Sequence, residues 1–145
     1  MLISTKGRYA LRVMLELAQG EPGECMPLPV IAQRQGISEK YLESIIAVLA
    51  RAGLVEGQRG KGGGYRLSRE LKDYSVGEIV RLTEGSLAPV DYLDELSGEA
   101  SPGESCYEIF VWKGLHDLVK GYLGGISLQD VVDRSSQLAI DSYTT

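Results

Sequence analysis

Arg59-Gly60-Lys61-Gly62-Gly63-Gly64-Tyr65-Arg66-Leu67 is a basic, glycine-dense turn that runs into a short apolar stretch. It arrives a few residues after Leu49-Ala50-Arg51-Ala52-Gly53-Leu54-Val55, which reads as the end of a helix. Two short strands, Gly53 to Glu56 and Tyr65 to Leu67, flanking such a turn predict a β-hairpin whose cationic tip can lie against a polyanion. That is the wing of a winged helix-turn-helix. Glycines beside a lysine also suggest a phosphate-binding nucleotide loop. However, Gly-x-x-x-x-Gly-Lys-Ser/Thr is absent, and no parallel-sheet pattern precedes the stretch.

Upstream of the wing, Tyr9, Leu11, Val13, Met14, Leu15, Leu17 and Ala18 form a broad helical stripe within Ser4 to Gln19, with Gly20 where a C-cap would sit. Pro22, Gly23 and Pro27 make the next stretch a loop. Pro29 suits the first turn of a short helix, Val30 to Gln35, which Gly36 ends. Ser38 has the chemistry of an N-cap for a helix over Glu39 to Ala52, with Glu39 and Glu43 near its positive end. Gly36-Ile37-Ser38 between two short helices is the helix-turn-helix signature. The second of these helices turns Leu42, Ile45, Ile46 and Leu49 inward and leaves Glu39, Lys40, Glu43 and Ala47 outward.

Downstream, Ser75-Val76-Gly77-Glu78 is a capping box that opens a helix through about Thr83. Glu84 to Ser105 is expected to be an acidic loop. A long amphipathic helix from Glu104 to Tyr122 follows, with Trp112, Leu115, Val119, Tyr122 and Ile126 at steps of three and four, which gives one apolar seam. Gly114 and Gly121 lie seven apart on one face of it, where either the close approach of another backbone or indifferent surface placement would account for them. Ser127-Leu128-Gln129-Asp130 is a further cap-like start, and the last residues are expected to fray. The fold class is therefore mainly α with a small β-hairpin wing. Residues 1–83 form a winged helix-turn-helix domain, 84–105 an acidic loop, and 106–145 a dimerisation helix and C-terminal tail. A winged-helix unit closes its own small core, so the seam of Trp112, Leu115, Val119 and Tyr122 is expected to pair across a two-fold dimer.

Charge divides along the chain. Residues 1–69 hold ten Lys/Arg against six Asp/Glu, and residues 70–145 hold five against fourteen, within a net charge of −5. An acidic total does not exclude nucleic acid, because affinity follows the local field and the basic half holds the wing. With no secretory leader, no run of about 18 apolar residues and no lipidation signal, a cytoplasmic protein is expected. Two cysteines, Cys25 and Cys106, exclude both a disulfide scaffold and a four-cysteine zinc site within one chain. His116 is the sole histidine, its acidic neighbour Asp117 is adjacent only in sequence, and no Gly-x-Ser-x-Gly motif is present. The chain is therefore not expected to be an enzyme. The acidic residues Asp91, Asp94, Glu95, Glu99 and Glu104 lack metal-ligand spacing.

With these residues placed, the chain closely resembles the bacterial Rrf2 family of transcriptional regulators, the group of IscR, NsrR and CymR. The resemblance begins at Ser4-Thr5-Lys6-Gly7-Arg8-Tyr9-Ala10. It runs through Ile37-Ser38-Glu39-Lys40-Tyr41-Leu42-Glu43, Ala52-Gly53-Leu54-Val55, Arg59-Gly60, Gly63-Gly64-Tyr65 and Val76-Gly77-Glu78-Ile79 to Trp112–Leu118 and Ser127–Val131. It implies a homodimer with two winged helices on a dyad-symmetric promoter site. Many members carry an iron–sulfur cluster on three cysteines before the dimer helix. Cys106 falls where the last of these belongs, the other two positions hold no cysteine, and Ile109 stands where the IscR branch has a histidine. A single thiolate cannot hold a cluster, so no cofactor is expected and the clusterless CymR branch is the nearer analogue.

The expected function is sequence-specific DNA binding, as a repressor. Lys6, Arg8, Lys40, Arg51, Lys61 and the Tyr41 hydroxyl would contact phosphates and set orientation. Ser38, Glu39, Lys40 and Glu43 stand at the exposed start of the recognition helix, where a carboxylate can accept from cytosine N4 in the major groove. Arg59, with Gly60 beside it, would enter the adjacent minor groove, a phosphate contact being its alternative. Cys25, in an accessible loop, and Cys106, at a helix start, are candidate thiol sensors, although the favoured reading of each is an inert small hydrophobe. Beyond DNA and a second copy of the chain, a partner protein or small effector is a candidate partner. The alternative of a different class is a protein-interaction module with a vestigial wing.

Overall fold

The computed structural model describes residues 3–85, 87 and 108–144. Helix α1, Thr5–Ala18, starts at Ser4, whose hydroxyl oxygen accepts from the Gly7 N–H at 3.1 Å. Its residues Ala10, Val13, Met14 and Leu17 repeat at helical spacing and are buried, so α1 forms the spine of the core. It closes at Gln19, one residue before the expected Gly20. Helices α2, Leu28–Gln35, and α3, Glu39–Arg51, pack on it through Ile31, Ala32, Leu42, Ile45, Ile46 and Leu49. Fully burying a side chain of this size contributes about 1.5–3 kcal/mol, so this set accounts for most of the local stability.

The wing differs in register from the sequence expectation. Strand β1 is Val55–Gln58 and β2 is Gly64–Leu67, antiparallel, with Val55 opposite Leu67 and Gln58 opposite Gly64. The reason lies at the end of α3. The Leu54 N–H donates to Leu49 O at 2.9 Å and the Gly53 N–H to Ala50 O at 3.0 Å, a Schellman closure that claims Gly53 and Leu54 for the helix terminus. A third short segment also joins the hairpin, because Met26 pairs with Tyr65 in both directions, at 2.8 and 2.9 Å. Tyr74, 1 % exposed, fixes the base of the wing. Its hydroxyl donates to Leu54 O at 2.7 Å and accepts from the Ser68 and Arg69 N–H groups at 2.9 Å each.

Helix α4, Val76–Glu84, is capped by Ser75, which accepts from the Glu78 N–H at 3.0 Å. The Glu78 carboxylate does not complete the box but pairs with Arg69 at 3.0 Å. Helix α5, Ile109–Gly124, starts later than Glu104 within the described residues, and its expected first turn lies outside them. Helix α6, Leu128–Thr144, replaces the expected frayed tail. Its start is a reciprocal capping box, in which the Asp130 N–H donates to Ser127 Oγ at 3.0 Å and the Ser127 N–H to Asp130 Oδ2 at 2.9 Å. The C-terminal helices do not stand apart from the winged unit. Leu128 is fully buried in the main core, and the Val76 N–H donates to Ile126 O at 2.8 Å, stitching the start of α6 to the start of α4. A second apolar cluster unites Val76, Val80 and Leu87 with Ile3, Leu11, Leu123, Ile126 and Val131.

Candidate nucleic-acid interface

Helix α3 presents Ser38, Glu39, Lys40, Glu43, Ser44, Ala47 and Arg51 to solvent, while the opposite stripe is in the core. Ser38 caps it by accepting from the Tyr41 N–H at 3.1 Å, so the first turn is set by the sequence immediately before it. Tyr41 is half-buried rather than free. Its ring meets Tyr9 of α1 edge-on, centroids 6.0 Å apart at 86°, and Arg12 lies 4.7 Å over the Tyr9 ring. The start of the recognition helix is thereby braced against the first turns of α1, which carry Lys6 and Arg8.

The wing tip is Arg59 to Gly63. Gly60 and Gly62 have φ of +89° and +76°, a left-handed geometry that glycine adopts without steric cost, and the Gly63 N–H closes the turn on Gly60 O at 2.9 Å. Arg59, Gly60 and Lys61 are exposed at this tip. Among the described residues, Lys6, Arg8, Lys40, Arg51, Arg59 and Lys61 form no ion pair. Arg34, Arg66, Arg69 and Lys72 do, with Glu16, Glu56, Glu78 and Glu70. These six cations, on α1, α3 and the wing, therefore keep their charge uncompensated among the described residues, as a phosphate-contacting set requires; Arg12, Lys113, Lys120 and Arg134 likewise show no ion pair there. Sequence reasoning missed Arg12 and Ser44, whose hydroxyl donates to Tyr41 O at 2.7 Å, and both steady the same corner.

The expected seam on α5 divides. Leu115 and Tyr122 are exposed, whereas Trp112 and Val119 are half-buried within the protomer. The solvent face of α5 instead collects Phe110, Val111, Leu115, Leu118 and Tyr122, with Phe110, Leu118 and Tyr122 74 %, 73 % and 71 % exposed. Gly114 and Gly121 lie near this face, and a Cβ at either would meet nothing within 4 Å among the described residues. His116 is buried, and its Nδ1 has no hydrogen-bond partner among the described residues.

Cys25 is half-buried rather than exposed. Its Sγ lies 3.7 Å from Gln58 Oε1 at the end of β1. Cys106 and the acidic residues from Asp91 to Glu104 lie outside the described residues. Among the described residues, no cluster of three or more His, Cys, Asp or Glu could hold a metal ion. No described helix is long and apolar enough to cross a membrane.

Comparison with known proteins agrees with this geometry. The profile of the Rrf2 family, described as iron-dependent transcriptional regulators, matches residues 3–134. The chain is 34 % identical over 140 residues to the HTH-type transcriptional regulator IscR of Escherichia coli, covering 97 % of this chain and 85 % of that protein. The structure of CymR, the global cysteine regulator of B. subtilis, superposes with a TM-score of 0.78 at 36 % identity, covering 92 % of this chain and 98 % of that one. IscR of T. potens gives 0.74 at 36 % identity, over 93 % and 88 %. Matched over residues 3–134 and built on a two-stranded wing and a capped recognition helix, the chain belongs to the Rrf2 family and is a DNA-binding transcriptional regulator, not an enzyme.

Proposed function

We propose that the protein is a repressor that acts in the cytoplasm as a homodimer on a dyad-symmetric promoter site. The observation that carries this reading is the grouping of Lys6, Arg8, Lys40, Arg51, Arg59 and Lys61 on α1, α3 and the wing, none of them in an ion pair among the described residues. Lys6, Arg8, Lys40, Arg51 and Lys61 hold phosphates and fix the register of each protomer. Ser38, Glu39, Lys40 and Glu43 face base edges in the major groove, and Arg59 with Gly60 enters the minor groove. The apolar face of α5 supports the dimer, because a contiguous patch centred on Phe110, Leu118 and Tyr122 is disfavoured in water.

The cluster that the family description implies does not fit this chain's donors. The sequence has two thiols, one of them beside Gln58 at the wing, and the three-cysteine set needs two more in the segment that ends at Cys106. The reading is therefore a regulator whose signal does not pass through the usual three-cysteine cluster. Absorption and iron analysis of protein purified without oxygen tests this point, and stoichiometric iron with a charge-transfer band would contradict it.

Mobility shifts with genomic fragments across a salt series test the function. A specific band that weakens steeply as salt rises is expected, because several cations each release phosphate counterions. No specific band at any ionic strength would favour the protein-interaction module instead.

A further inference from the structure

The first turn of α1 is electrostatically awkward. It carries Lys6 and, just beyond, Arg8, it holds no acidic residue, and it lies at the positive end of the helix dipole. The compensating carboxylate comes from eighty residues away. Glu84, the last residue of α4, accepts through one oxygen, Oε1, from the Ser4 N–H at 2.9 Å and from the Ser4 hydroxyl at 2.6 Å. The Ser4 oxygen in turn accepts from the Gly7 N–H. The hydroxyl proton and lone pair of Ser4 are thus both committed, and the start of α1 is tied to the end of α4. Gly7 completes the fit, because a Cβ there would collide with Glu84 Oε1 and press on Thr83 Oγ1 at 3.1 Å and Ile3 Cγ2 at 3.3 Å.

We propose that Glu84 is a positioning residue for DNA recognition: through Ser4 it fixes the pose of the α1 start, and with it Lys6 and Arg8, relative to the recognition helix. The route is continuous. Glu84 holds Ser4, Ser4 holds the first turn, and two residues beyond Gly7 the Tyr9 ring abuts Tyr41 at the start of α3. On its other side α4 packs through Val76 and Val80 into the cluster that includes Leu123 of α5, Val131 of α6 and Ile126 between them. Glu84 itself touches no DNA in this account. It decides whether the cations of α1 meet phosphates in the register that lets α3 read bases. Losing it leaves the number of cations unchanged, so non-specific attraction persists while register is lost.

This inference rests on the reading of α1 as a DNA-facing element. It is tested on the full-length protein with an operator obtained by selection from random-sequence DNA. The readout is the ratio of non-specific to operator dissociation constants, in which any unfolded fraction cancels. Glu84→Ala and Gly7→Ala should each lower that ratio by about tenfold, the fold-change that the loss of one charge-assisted hydrogen bond gives. Glu84→Gln keeps the accepting Oε1 and should stay within about threefold of wild type. A ratio for Glu84→Ala within that same threefold range overturns the proposal, as does Glu84→Gln falling as far as Glu84→Ala. Lys6→Ala tests the underlying reading separately and should weaken operator and non-specific DNA together. If it changes neither, the route through α1 is wrong, a failure distinct from one seen in the ratio.

Discussion

Tyr74→Phe removes one oxygen atom and strands three backbone groups, because that hydroxyl bonds Leu54 O and the N–H groups of Ser68 and Arg69. The site is buried, so the cost is the desolvation of unpaired groups, and unfolding by urea should show a loss of about 1–3 kcal/mol. A loss below about 0.5 kcal/mol would mean that water satisfies them. At the DNA face, Lys61 and Glu43 should behave differently. Lys61→Ala should weaken all DNA about equally and lower the salt slope by about one, while Glu43→Ala should relax base preference at one position per half-site. An unchanged consensus from selection with Glu43→Ala would show that this carboxylate reads no base. The exposure of Lys61 and Glu43 was legible in the sequence because the solvent face of a patterned helix and a glycine-rich tip are local properties. Glu84 was not legible, since its partner Ser4 is brought to it only by the packing of α1 against α4.

At the scale of elements, hydrophobic period and capping chemistry were enough to place α1, α2, α3 and α4, and the departures have identifiable causes. The wing begins at Val55 because the Schellman closure of α3 competes for Gly53 and Leu54. Helix α6 extends through Thr144 after a reciprocal Ser127–Asp130 box, although its exposed residues give little apolar pattern. On α5 a period of three and four fits two adjacent stripes, and the sequence does not say which one the protomer covers. The structure keeps Trp112 and Val119 partly inside and leaves Phe110, Leu115, Leu118 and Tyr122 outside. If that outer stripe joins two copies, Leu118→Asp should give a monomer by light scattering, with weakened operator binding, because a charge would be buried without a partner. A dimer that persists unaltered would place the interface elsewhere.

For the molecule as a whole, the acidic C-terminal half and the basic N-terminal half serve different surfaces. Net charge of −5 is compatible with DNA binding because ten of the fifteen Lys/Arg lie within residues 1–69, which hold α1, α3 and the wing, while the C-terminal helices present the apolar stripe. Core packing through Leu128 and the bond from the Val76 N–H to Ile126 O tie the C-terminal helices to the winged unit, so that if two copies pair through α5, as proposed, that pairing sets the pose of one winged helix relative to its twin. If two such units read one DNA site together, selection of binding sites from random-sequence DNA by the full-length protein should return a consensus of two inverted half-sites, as two-fold symmetry demands. No enrichment, or enrichment of a single unrepeated half-site, would contradict that joint reading.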